Sequence, residues 1–106
     1  MEPRKILNEV MQELGLNGKI RLRRVPMKHK IASFSFRTNT LRLNRNLLEL
    51  LSEEELRYII RHELVHLKVK DLNHGSLFLE EMKKFYSEKE IEEIERRIFE
   101  KLVRDR

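Results

Sequence analysis

The chain has neither cysteine nor tryptophan among its 106 residues. Without cysteine there is no disulfide framework, no thiolate nucleophile and no sulfur ligand, so any metal must be held by histidines and carboxylates. Proline and glycine are scarce, two and three residues. No repeat, low-complexity tract or linker interrupts the pattern, and the length suits one compact domain over 1–106. No run of about 18 apolar residues is present to span a bilayer, and Met1-Glu2-Pro3-Arg4-Lys5 leads straight into an amphipathic pattern with no signal peptide. A cytoplasmic location without a membrane partner is the expectation.

Charge is what the chain has in excess: 39% of residues are charged against 40% hydrophobic, and the net charge is +5. Lys, Arg and Glu dominate, with a single glutamine at Gln12, a composition that resembles proteins from hot environments. Arg21, Arg23, Arg24, Lys28, Lys30, Arg37, Arg42 and Arg45 concentrate the positive excess in the first half. Solvated strand and loop surface is the favoured reading of these residues. Nucleic acid is the less favoured partner, because no recognisable binding motif accompanies the charge.

Periodicity and turn chemistry give the elements. Pro3 suits a first helical turn, Ile6, Leu7, Val10, Met11 and Leu14 make one apolar stripe, and Gly15 can close the helix, which predicts helix 3–14. Alternating residues predict strands over 19–25 and 31–37, the second with Phe34 and Phe36 on one face, and a short third strand over 40–44. Thr38-Asn39 joins the last two as a hairpin. Leu47 to Leu51 give a turn or two of helix. Ser52-x-x-Glu55 and Ser87-x-x-Glu90 are capping boxes, which predict helices from about 53 to 67 and from 88 onward. Between them, residues 75–86 read as a helix burying Leu77, Phe78, Met82 and Phe85, and the last helix turns Ile91, Ile94, Ile98, Leu102 and Val103 inward. The fold class is α+β: an N-terminal helix, a small three-stranded sheet with a hairpin, a motif-bearing helix and two further C-terminal helices.

His62-Glu63-Leu64-Val65-His66 is an H-E-x-x-H motif within the best-supported helix. Four residues advance a helix by about 400°, so the two imidazoles stand on one face, about 40° apart, and can reach one zinc ion. Glu63 lies about 100° around from His62, beside the metal, where a carboxylate can take a proton from an activated water and hand it to a leaving amine. A catalytic zinc needs a third protein ligand. His74 follows a helix end at Lys70-Asp71-Leu72-Asn73 and precedes Gly75, where the chain can reverse and bring it back. Glu80, Glu81, Glu88 and Glu90 are the competing ligands, and Glu80 and Glu81 also suit a role in orienting the imidazoles.

From His62 to Phe78, the stretch H-E-L-V-H-L-x6-H-G-x-x-F resembles the minimal zinc peptidases called minigluzincins, and it is similar to the wider SprT-like and YgjP-like metallopeptidases. The metzincin pattern does not fit, since its glycine and third histidine would fall at Val69 and Leu72. The resemblance implies a zinc endopeptidase with one Zn2+ per chain, held by His62, His66 and His74, with Glu63 as general base. It further implies a sheet above the active-site helix whose edge strand pairs with an extended polypeptide substrate. Thr40, Leu41, Arg42, Leu43 and Asn44 are the candidate edge, being short, polar on one face and just before the motif helix.

The group is also associated with latent forms closed by the C-terminal segment. Residues 87–106 are therefore expected to restrain activity, as a monomer or as a C-terminal helix-swapped dimer, and deletion beyond about Phe99 is expected to raise it. An oxyanion stabiliser is expected from among His29, Tyr58 and Tyr86. Two alternatives stand beside this reading: a DNA-associated protease of the SprT-like kind, in which the basic strands hold nucleic acid, and a non-catalytic zinc module, for which Glu63 would have no use.

Overall fold

The computed structural model describes residues 2–71 and 73–104. Leu72, within the expected helix end, and positions 105–106 of the C-terminal segment lie outside the described residues, as does Met1. Helix α1 spans Pro3–Leu14, followed by strands β1 (Arg21–Val25), β2 (Ala32–Ser35) and β3 (Thr40–Asn44). The short helix α2 (Arg45–Leu48) leads to α3 (Glu53–Val69), α4 (Ser76–Lys83) and α5 (Glu88–Arg104). This is the expected α+β order of five helices and a three-stranded sheet.

Local chemistry explains the boundaries. Pro3 sits in the first turn of α1, and Gly15 ends it at φ 70°, the left-handed region that costs glycine nothing. Ser52 accepts from the Glu55 N–H at 3.1 Å while Glu55 accepts from the Ser52 N–H at 2.9 Å, the reciprocal capping box that starts α3. The second box, Ser87 with Glu90, has the same pair of bonds at 3.1 and 2.9 Å. Strands β1 and β2 are shorter than their alternation predicts, because Phe36 to Asn39 turn the chain, with Asn39 at φ 52°.

The sheet order is β1-β3-β2, with β3 parallel to β1 and antiparallel to β2. This corrects the expected role of Thr40 to Asn44. Their strand is central, its backbone hydrogen-bonded on both sides, so no substrate can add to it. Thr40 and Asn44 read as polar surface but are buried and bonded internally. The Asn44 amide donates to the carbonyls of Met27 and Lys30 at 3.1 and 2.8 Å, and its oxygen accepts from the Met27 and Asn46 N–H groups. That clasp holds loop 26–30 as it crosses the end of β3 between the two outer strands. The edge beside α3 belongs to β2.

The core joins one sheet face to the helices. Leu41, Leu43 and Phe34 from the sheet, Leu7 and Val10 from α1, Ile60, Leu64 and Val65 from α3, and Ile94 and Ile98 from α5 form one cluster. Two expectations fail at the helix surfaces: Leu77 and Val103 are 62% and 50% exposed, each well around its helix from the buried residues, Phe78 and Met82 of α4 and Ile94 and Ile98 of α5. Among the described residues, no helix is long and apolar enough to cross a membrane.

Candidate metal centre

Helix α3 is buried along Leu56, Ile60, Leu64 and Val65, and this fixes the rotation that turns His62 and His66 toward a cleft. The helix ends at Lys70 in a left-handed conformation (φ 56°), reversing the chain, and α4 starts at Ser76. His74 lies in the return. Its Nε2 stands 3.1 Å from Nε2 of His62. In a tetrahedral zinc site with bonds of about 2.05 Å, two ligand nitrogens are about 3.3 Å apart, so this separation is that of two corners of such a site. Ligand nitrogens of all three histidines lie within 4.8 Å of one another, and the ring centroids are 4.8 to 5.0 Å apart.

The outer nitrogens are engaged. His66 Nδ1 is 2.9 Å from the Asp71 carbonyl, a partner that can only accept, so Nδ1 is protonated and the Nε2 lone pair faces inward. His62 Nδ1 is 3.0 Å from the Glu63 carboxylate. Phe78, from α4, stacks on His66 at 4.5 Å and meets His62 and His74 edge-on at 5.0 and 4.8 Å. Burial, and then the nearby His62 and His66, lower the His74 pKa, which favours the neutral imidazole that a metal requires. The donor set, its spacing and its supporting bonds all fit zinc.

The competing glutamates are occupied elsewhere. Glu81 pairs with Lys68 and Lys84, Glu88 with Lys83, and Glu90 caps α5. Neither these nor Glu80 belongs to the metal-ligand group.

Beside the histidines is a cavity of about 650 Å³, walled by Ala32, Ser33 and Phe34 of β2 with Lys30 and Ile31, by Tyr58, Ile59, His62, Glu63 and His66 of α3, and by Glu95, Ile98 and Phe99 of α5. The tyrosines now separate. Tyr58, one turn before His62, lines this cavity and donates its hydroxyl to Glu95. The Tyr86 hydroxyl instead accepts from Arg61 at 2.6 Å, and Arg61 is tied to Glu13 of α1 at 2.8 Å, away from the cavity. His29 is exposed on loop 26–30 and does not line the cavity. Nothing in the sequence sets Glu95 apart from the other glutamates of α5; its hydrogen bond to Tyr58 of α3 distinguishes it.

Residues 3–98 match the family model described as YgjP-like, metallopeptidase domain. The chain belongs to the YgjP-like metallopeptidase family. Among curated relatives, MJ0123 of Methanocaldococcus jannaschii is 49% identical over 98 residues, covering 92% of this chain and 89% of that protein. A protein of Aquifex aeolicus, aq_aa15, is 35% identical over 79 residues, 74% of this chain and 67% of the other. Two solved structures share the fold. The metallopeptidase zymogen of Methanocaldococcus jannaschii jannalysin superposes with a TM-score of 0.90 at 47% identity, covering 96% of this chain and 98% of its own. The metallopeptidase zymogen of Pyrococcus abyssi abylysin gives 0.89 at 36% identity, covering 96% of both. The resemblance to minigluzincins thus holds across nearly the whole YgjP-like domain, and the chain is a metallopeptidase.

Proposed function

We propose that this metallopeptidase is a zinc-dependent endopeptidase that cuts extended polypeptide, with His62, His66 and His74 holding one zinc and Glu63 acting as general base and then acid. The observation that carries the reading is the convergence of three imidazoles beside Glu63 in a cavity bounded by an open strand edge. Zinc bound there would supply Lewis acidity toward a water and the scissile carbonyl. Glu63 lines the cavity as well as bonding His62, and a change of rotamer exchanges the imidazole for a water whose proton it can accept. Tyr58, with its hydroxyl in the same cavity, is the candidate donor to the developing oxyanion.

Substrate binding falls to β2 in place of β3. Ala32 to Ser35 form the sheet edge that borders the cavity, so an extended peptide can add to it through backbone hydrogen bonds, with weak sequence preference.

Latency through residues 87–106 is part of the proposal. Helix α5 supplies Glu95, Ile98 and Phe99 to the cavity wall, and Glu95 occupies the Tyr58 hydroxyl. The two solved relatives named above are zymogens. A deletion starting beyond Phe99 would spare all three wall residues, so Phe99→Ala is the sharper probe; Phe99 is 62% exposed and its loss costs little packing. It should raise cleavage of an unfolded protein substrate.

Glu63→Ala tests the mechanism. It should keep zinc and the fold and abolish hydrolysis by zinc-loaded protein. Hydrolysis at the wild-type rate by the variant would remove Glu63 from the chemistry.

A further inference from the structure

Between Glu13 and Glu49 the sequence has nine lysines and arginines and no acidic residue. The rest of the chain has fourteen basic residues against eighteen acidic ones, so the positive excess belongs wholly to the sheet and its loops. The fold then sorts these charges by face. Leu41, Leu43 and Phe34 point into the core, and strand alternation sends Arg21, Arg23 and Arg42 to the opposite, outer face. Arg23 and Arg42 are register partners on β1 and β3, with Ser33 of β2 completing the row; Arg21, Thr40 and Ser35 form the next row. The Asn44 clasp holds the loop bearing Lys28 and Lys30 across the end of β3.

Acids and bases elsewhere in the molecule are largely matched. Arg57, Arg61, Lys68, Arg97 and Lys101 all sit in ion pairs, and Arg24, which faces the helix side, reaches Glu2. Among the described residues, Arg21, Arg23, Lys28, Lys30 and Arg42 have no acidic partner within 4 Å. Two like charges directly opposite on neighbouring strands oppose folding. An anion laid over them removes that repulsion.

We propose that the outer face of the sheet binds nucleic acid without sequence preference, through phosphates held by Arg21, Arg23 and Arg42, with Lys28 on the adjoining loop. This binding is independent of the peptidase reading. The face carries no aromatic residue, so it offers no stacking platform for bases, and recognition is confined to the charged backbone. An acidic peptide lying along the β2 edge fits less well. The arginines stand one and two strands in from that edge, about 5 and 10 Å away. The partner must cross the strands and match several cations at once, and a phosphate polymer has the denser charge.

The test is fluorescence anisotropy of a labelled duplex of about 20 base pairs with the full-length chain, over salt from about 50 to 300 mM. Wild type should bind at low salt with affinity falling steeply as salt rises. Arg23→Ser/Arg42→Ser should weaken binding about tenfold or more at low salt and reduce the salt slope by about 1.8, or 0.9 for each phosphate no longer neutralised. A melting curve on the same sample establishes that it is folded. Lys89→Ser/Arg96→Ser, on exposed positions of α5, removes the same charge elsewhere and should leave binding near wild type. Equal weakening by both variants would mean that net charge alone is responsible and would overturn the assignment. So would tighter binding of polyglutamate than of duplex at matched salt, or no binding by wild type at about 50 mM salt.

Discussion

Tyr58 on α3 donates its hydroxyl to the carboxylate of Glu95 on α5, and both residues line the cavity beside His62. Burial, and after it this bond to Glu95, raise the tyrosine's pKa, so the phenol stays a protonated donor across the physiological range. The pair joins the C-terminal helix to the proposed oxyanion donor.

Opposite effects follow from breaking it on either side. Glu95→Ala should free the hydroxyl and raise peptide cleavage. Tyr58→Phe should lower kcat by about 100-fold with a smaller effect on KM, as expected when one oxyanion donor is removed. Zinc content should not change in either variant. Steady-state kinetics on zinc-loaded protein checks this, and equal kcat for wild type and Tyr58→Phe would rule out the donor role.

Arg61 precedes His62 and fixes the rotation of α3 from the other side. It is 5% exposed, bonds both carboxylate oxygens of Glu13 at 2.8 Å and the Tyr86 hydroxyl at 2.6 Å, and lies 4.3 Å over the Phe85 ring. Because Glu13 is partly solvated, Arg61→Ala should cost about 2 kcal/mol, less than a fully buried pair. Denaturant unfolding measures it; a cost within about 0.5 kcal/mol of zero, the range of an ordinary surface substitution, would mean that the network contributes nothing.

Glu55 links stability to acid. Burial opposes its ionised form, but bonds from Lys101 and the Ser52 N–H, with the charges of Lys101 and Arg97, outweigh it and lower the pKa below 4.5. A carboxylate whose pKa is depressed in the folded state stabilises fully above its unfolded value. That contribution is lost as pH falls through the lower folded value. Lys101→Met should therefore reduce the loss of Tm between about pH 6 and pH 2. An unchanged acid limb in the variant would remove Lys101 as the cause.

The elements that were legible in the sequence are those whose ends carry their own chemistry. Pro3 with Gly15 bounds α1, Ser52 with Glu55 starts α3, and the H-E-x-x-H spacing places two histidines on one face wherever that helix packs. His74 was legible only as a candidate, because its approach to His62 depends on the reversal after Lys70. Strand order was not legible. Alternation shows which residues share a face but not which strand lies in the middle, and the polar side chains of Thr40 and Asn44 suggested an edge. Their partners in loop 26–30 and the neighbouring turn offset the cost of burying them. Nor did sequence spacing bring Glu95 to Tyr58, 37 residues away.

The central claim is a three-histidine zinc site, and elemental analysis of folded wild type beside His74→Ala tests it most directly. About one zinc per wild-type chain and a clear loss in the variant are expected. Full zinc in both proteins, or none in either, would contradict the site.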